Sequence, residues 1–188
     1  MSHALHLRVG IEQSGGSPNN AGMGQDLTRG VILHVEDEES QRESLATLLA
    51  VESFEVHQAA DSAAVPSLAR KLGDRLDVLI VDYHLGGSGP GGSRTGGSGT
   101  DVAEGLSALL GYAVPTIMLT GDVANCEVPI LSYAPVWVAR KPLDPRVLLA
   151  GLPALVEFRR GVARVSAADR ASGDEPLRGD QQGLDVRD

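Results

Sequence analysis

Five short apolar runs punctuate the middle of the chain: VILHV (31–35), FEVHQA (54–59), DVLIV (77–81), PTIMLT (115–120) and VWVA (136–139). Most are continuous and β-branched, with no polar residue on alternate positions. Strands covered on both faces have that character, so the runs predict a parallel sheet. The segments between them change period. Glu39–Val51 places Leu45, Leu48 and Leu49 on one helical face. Ala63–Leu72 reads as a helix with Pro66 in its first turn, where proline is tolerated. Asp101–Leu110 reads as a third, capped by Thr100 or Asp101. Asp144 followed by Pro145 opens an apolar-periodic run to Phe158, with Pro153 expected to kink or interrupt it. Residues 123–133 should supply a fourth helix before the last strand. Pro129 and several β-branched residues predict a short one.

Strand and helix thus alternate five times. The expectation is an α/β fold, a five-stranded parallel sheet doubly wound by helices, with a reduced fourth helix. The flanks differ in composition. Residues 1–28 are rich in Gly, Ser and Asn and read as a disordered arm or linker, although Leu5, Leu7, Val9 and Ile11 alternate. Residues 159–188 mix charges of both signs with few large apolar side chains and read as a disordered tail, frayed-helical at its start. The folded domain is expected over 29–158. Between the third strand and the next helix, Gly86–Gly99 holds eight glycines in fourteen residues. Such a loop costs little to close, because closure entropy grows only logarithmically with length, and it is expected to be mobile.

Bulk composition removes several function classes. The chain has 188 residues, a net charge of −9 and six aromatic residues. An acidic, aromatic-poor surface suits neither nucleic-acid phosphates nor base stacking. Cys126 is the sole cysteine, which excludes an intrachain disulfide. No run reaches the roughly 18–20 apolar residues of a membrane span, and no secretory signal is evident. A cytoplasmic protein with no membrane partner is the expectation.

Ligands in open parallel sheets bind beyond the carboxyl ends of the strands, so those positions carry the functional reading. Glu36, Asp37, Glu38 and Glu39 follow the first strand, and Asp82 follows the third. Thr120, Gly121 and Asp122 end the fourth, and Lys141–Pro142 follow the fifth. Crowded carboxylates repel unless a cation sits among them, and hard oxygen donors with room for water suit Mg²⁺. A lysine beside them can neutralise a phosphoryl group, a hydroxyl can hold one of its oxygens, and Asp82 can serve as nucleophile. Taken singly, each has a plainer reading: a turn-forming aspartate, an acidic helix start, a surface lysine. The combination, in order and each at a strand end, favours a site.

Residues 29–158 resemble the receiver domain of two-component response regulators through VILHVEDEES, DVLIVDYHL, PTIMLTGD and VARKPLD. DYHL beside a glycine-rich run, and LTGD followed by KPLD, are most similar to receivers partnered with or attached to hybrid sensor histidine kinases. The resemblance implies a flavodoxin-like (βα)5 fold and a signalling phosphoacceptor that is not an enzyme in the usual sense. It also implies partners that are a histidine kinase or histidine phosphotransfer protein, and it leaves a homodimer open. It makes Asp82 the phosphoacceptor, Thr120 the switch hydroxyl and Lys141 the phosphate-binding lysine. It assigns Mg²⁺ to Asp37, Asp82 and the His84 backbone carbonyl, with Glu36 acting through water, and expects a cis Lys141–Pro142 bond. One departure stands out. The family's switch aromatic is replaced by Val138, with Trp137 one position earlier.

Two other readings remain open at this stage. A receiver-like binding module that does not switch would keep the fold and lose the coupling. An aspartate-nucleophile phosphohydrolase of the haloacid-dehalogenase type would need a second aspartate where His84 stands. No output domain is recognised in the sequence, and a single-domain regulator acting through protein contacts is the expectation.

Overall fold

The structure is a computed structural model that describes residues 28–86, 97–128 and 134–172, the side chains of 169–172 excepted. Five strands form one parallel sheet in the order β2-β1-β3-β4-β5. They are β1 (Val31–Val35), β2 (Glu55–Ala59), β3 (Val78–Asp82), β4 (Thr116–Thr120) and β5 (Val136–Arg140). The helices are α1 (Glu39–Val51), α2 (Val65–Leu72), α3 (Gly99–Leu110) and α4 (Pro145–Ser172). The doubly wound α/β expectation therefore holds.

The alternation of side chains along a strand divides the core in two. Val31, Leu33 and Val35 of β1 pack with Leu79 and Val81 against Ala69 of α2 and Leu106 of α3. Ile32 packs with Val78, Ile80 and Ile117 against Leu49 of α1 and Leu148, Leu152 and Val156 of α4. Every residue of β1, β3 and β4 is buried. That explains why these three strands read as unbroken apolar runs, each large side chain contributing about 1.5–3 kcal/mol by burial.

Three details correct the sequence expectations. The cap of α3 is Ser98, not Thr100 or Asp101. Its hydroxyl accepts from the Asp101 N–H, and the Asp101 carboxylate accepts from the Ser98 N–H in a capping box. Pro153 does not interrupt α4, which is continuous through it. The same helix runs on to Ser172, so 159–172 is regular helix where a disordered tail, frayed-helical only at its start, was expected. Ala163, Ala167 and Ala168 with interspersed arginines are good helix formers, which outweighs the segment's polarity.

Residues 159 and 160 also tie α4 to the sheet's amino-terminal edge. Arg160 donates to both carboxylate oxygens of the buried Asp77 (3.1 and 2.8 Å), and Asp77 accepts from the Val31 N–H at 2.9 Å. Arg159, itself buried, lies 3.7 Å from the centroid of the Tyr112 ring.

No helix occurs over 121–128, the described part of the connection where a short fourth helix was expected. The expectations for 1–27, for 87–96 of the glycine tract, for 129–133 and for 173–188 lie outside the described residues.

Candidate functional site

Parallel pairing in register brings the ends of β1, β3, β4 and β5 to one edge. Backbone bonds continue the ladder just past the strands: Tyr83 N–H donates to the Leu119 carbonyl, and Lys141 N–H donates to the Thr120 carbonyl. Glu36, Asp37, Asp82, Thr120 and Lys141 therefore sit on residues held by sheet geometry. Such residues are placed more closely than those on free loops.

Glu36, Asp37 and Asp82 each offer a carboxylate oxygen, and these oxygens lie within 4.8 Å of one another. Glu36 and Asp82 are buried, while Asp37 is exposed. The Lys141 ammonium lies 2.7 Å from Glu36 Oε2 and 3.2 Å from Asp82 Oδ2. Burial raises the Glu36 carboxyl above its ordinary range, its hydrogen bond from Lys141 opposes that, and the charge of Asp82 adds to it. Burial works against charge on Lys141, but the hydrogen bond to Glu36 and the charge of Asp82 outweigh it and raise that group. Lys141 is thus held as a cation between two acids.

The donor set suits a hard divalent cation. Three carboxylates of one cluster, two of them buried, with an exposed third ligand leaving room for water, match the all-oxygen, partly hydrated coordination of Mg²⁺. Asp37 is oriented by the Gly86 N–H, which donates to its Oδ2 at 3.1 Å. The Arg42 guanidinium donates to the Glu36 carbonyl at 2.9 Å and fixes the turn between β1 and α1.

The remaining expected residues fall as follows. His84, two residues after Asp82, forms an isolated antiparallel bridge with Ser98. Thr120 is fully buried, and its hydroxyl is engaged with Asp122, accepting from the Asp122 N–H at 3.1 Å and donating to its carbonyl at 3.3 Å. Among the described contacts, then, Thr120 faces Asp122 and not Asp82. The Lys141–Pro142 bond is cis. Trp137 lies three residues before the end of β5, and its ring packs on Gly151 of α4.

Sequence reasoning missed Gly99. A Cβ there would lie 2.6 Å from the Asp82 carbonyl oxygen, and its N–H donates to the Tyr83 carbonyl at 3.0 Å. Only glycine lets the first turn of α3 rest on the backbone of the strand-end aspartate. It missed His34 as well. This side chain is 1% exposed, and neither ring nitrogen has a hydrogen-bond partner. Burial, then the charges of Lys141 and Arg42, lower its pKa to about 4 against an opposing interaction with the Arg42 backbone, so the ring is neutral. A histidine inside an apolar run gives no sign of its isolation in the sequence.

No family model matches the chain. The sensory transduction protein RegX3 of Mycobacterium tuberculosis is 33% identical over 131 residues, which cover 69% of this chain and 51% of that protein. RegX3 of Mycolicibacterium smegmatis is 32% identical over the same length. The chain thus spans about half the length of the curated relatives it matches. A receiver domain of the hybrid histidine kinase CckA superposes with a TM-score of 0.52 at 26% identity, covering 68% of this chain and 99% of that one. The chain folds as a response-regulator receiver domain. A receiver domain from Clostridium thermocellum has the same fold, with a TM-score of 0.58 at 21% identity over 71% of this chain and 98% of its own. In this chain the sheet order is β2-β1-β3-β4-β5, with three carboxylates and Lys141 at its carboxyl edge.

Proposed function

We propose that this receiver domain accepts a phosphoryl group on Asp82 from a histidine kinase or a histidine phosphotransfer protein, with Mg²⁺ held by Asp37, Asp82 and the His84 carbonyl. The observation that carries the reading is the Lys141 ammonium poised between Glu36 and Asp82. An Asp82 oxygen attacks phosphorus, the P–N bond to the donor imidazole breaks, and the imidazole leaves with the bond's electrons and takes up a proton. Lys141 then has an anionic oxygen to bind in place of the carboxylate charge it neutralises now. Bound Mg²⁺ supplies charge neutralisation and alignment of the phosphoryl oxygens. Glu36 keeps Lys141 in place, and Gly86 and Arg42 hold the two acids at their positions. The product is an acyl phosphate.

The test is incubation with acetyl phosphate and Mg²⁺. Hydroxylamine-sensitive incorporation is expected in the wild type and none in Asp82→Asn. Undiminished labelling of the variant would refute the assignment.

A second reading has its own observation. The Thr120 hydroxyl is committed to Asp122 in both directions, and Val138 replaces the family's aromatic. Such a domain would accept phosphate without passing the change on. Amide shifts over 121–128 on phosphorylation distinguish the two readings, because a switching domain moves them and a passive one does not.

A further inference from the structure

One residue past Asp82, the chain makes a contact that the site's own chemistry does not use. The Tyr83 ring packs against the core on the α2–α3 side of the sheet, and its hydroxyl accepts from the Glu127 N–H at 3.2 Å. The Glu127 carbonyl in turn accepts from the Thr100 hydroxyl at 2.8 Å. Glu127 is thus gripped through both of its backbone groups by two side chains. Both side chains are placed by the backbone of the strand-end aspartate. Tyr83 is joined to Asp82 directly. Thr100 follows Gly99, whose N–H donates to the Tyr83 carbonyl at 3.0 Å and whose missing Cβ lets α3 rest on the Asp82 carbonyl. Segment 121–128 therefore has two anchors. At one end Asp122 is tied to the Thr120 hydroxyl, and at the other Glu127 is tied to Tyr83 and Thr100.

We propose that Tyr83 and Thr100 form a clamp on Glu127 that couples segment 121–128 to Asp82, and that phosphorylation opens it, with Tyr83 as the positioning residue. The inference rests on Asp82 as the phosphoacceptor. A phosphoryl group adds bulk and charge to the Asp82 side chain, and the backbone there has no slack. Gly99 lies against the Asp82 carbonyl on one side, and the Tyr83 N–H is bonded to the Leu119 carbonyl on the other. Displacement is therefore passed to Tyr83 and to the first turn of α3 together, and the clamp needs their two hydroxyls at one spacing. The 3.2 Å bond from Glu127 is at the long end of the usual range, so a few tenths of an ångström break it. This route bypasses Thr120, whose hydroxyl is engaged with Asp122 in both directions. Val123 and Val128 are exposed on the segment, so opening the clamp alters the apolar surface that a partner meets.

The test reads solvent exchange of the Glu127 amide in the full chain by NMR, referenced to Ile117 in β4, whose exchange reports global unfolding. Adding beryllofluoride, a phosphoryl analogue, with Mg²⁺ to the wild type should speed Glu127 exchange about five-fold, the worth of one hydrogen bond. Tyr83→Phe removes the hydroxyl and keeps the ring in the core. In that variant Glu127 should exchange at the fast rate from the start and stop responding. Coupling is reciprocal, so Tyr83→Phe should also bind beryllofluoride up to about five-fold more tightly. A merely structural hydroxyl would change stability and leave that affinity alone. Gly99→Ala displaces the same backbone with no phosphoryl group present. It should speed Glu127 exchange relative to Ile117 even if Asp82 accepts no phosphate, which separates failure of the clamp from failure of the phosphoacceptor assignment. The proposal is overturned if Glu127 exchange is unchanged in Gly99→Ala, or if beryllofluoride binds the wild type without affecting Glu127. It is also overturned if Tyr83→Phe binds beryllofluoride no more tightly than the wild type.

Discussion

Gly99 rests against Asp82. A methyl group at position 99 would come within 2.6 Å of the Asp82 carbonyl oxygen and within 3.1 Å of Tyr83 Cα. Both are backbone atoms, so no rotamer change relieves the contact. The first turn of α3 and the strand-end aspartate therefore hold a fixed relation that depends on one missing side chain.

Gly99→Ala should accordingly cost about 1–3 kcal/mol, the usual penalty for forcing atoms into a close-packed contact, measured as a lowered urea midpoint. It should also slow phosphorylation from acetyl phosphate, because the displaced backbone carries Asp82. Gly97→Ala is the control. Its Cβ would meet only Ser62 and Asp101 atoms at 3.6 Å or more, so stability should be nearly unchanged.

Lys141→Met removes the cation between Glu36 and Asp82. Phosphorylation of Asp82 should fall by about ten-fold or more, since a positioned charge is worth a few kcal/mol in such a site. Mg²⁺ should bind more tightly, because the ammonium no longer competes for the same carboxylates. Titration of amide shifts with Mg²⁺ measures this, and weaker binding than in the wild type would contradict the competition.

How much of this was legible beforehand depended on whether a residue's neighbours in space were also neighbours in sequence. The β1, β3 and β4 runs announced themselves because burial on both faces admits only apolar side chains. Glu36, Asp37, Asp82 and Lys141 were readable because each ends or directly follows a strand, and parallel pairing places strand ends together. Ser98 was missed because the S-x-x-D capping pattern lies at the end of a glycine-rich tract, and Gly99 within it looks like more of the same loop. Gly99 itself is required by the backbone of Asp82 and Tyr83, about sixteen residues earlier, which no local pattern reveals. The helix beyond Phe158 was hidden by its polarity. Its anchor is Asp77, far away in sequence, and a polar helix held by ion pairs resembles a tail.

Asp77 gives that anchor a measurable weight. Asp77→Ala leaves the Val31 N–H buried without an acceptor and Arg160 without its partner. It should cost about 3 kcal/mol, somewhat less than a fully buried pair because Arg160 is half exposed. Asp77→Asn keeps an acceptor for Val31 and should cost roughly half as much. Equal losses in the two variants would show that the ion pair dominates over the backbone bond.

Tyr112 sets an alkaline limit. Burial raises its phenol above 10.0, partly opposed by Arg159. A folded pKa above the unfolded one means the native state holds the proton more tightly, so the native state binds more protons than the unfolded chain above pH 10. This contribution is full below pH 10 and is lost as pH rises through the folded value. In Tyr112→Phe the slope of stability against pH above 10 should be shallower, read by chemical denaturation at successive pH values.

The 28 residues of α4 have a mechanical consequence. From Arg160, where the helix is bolted to Asp77, to Ser172 it advances about 18 Å and makes about three and a third turns. That stretch works as a threaded shaft. Inserting one residue into it would swing whatever is attached at Ser172 by about 100° around the axis, whereas four would bring it nearly back into phase and only push it outward. The direction in which the domain presents that end is thus counted in residues.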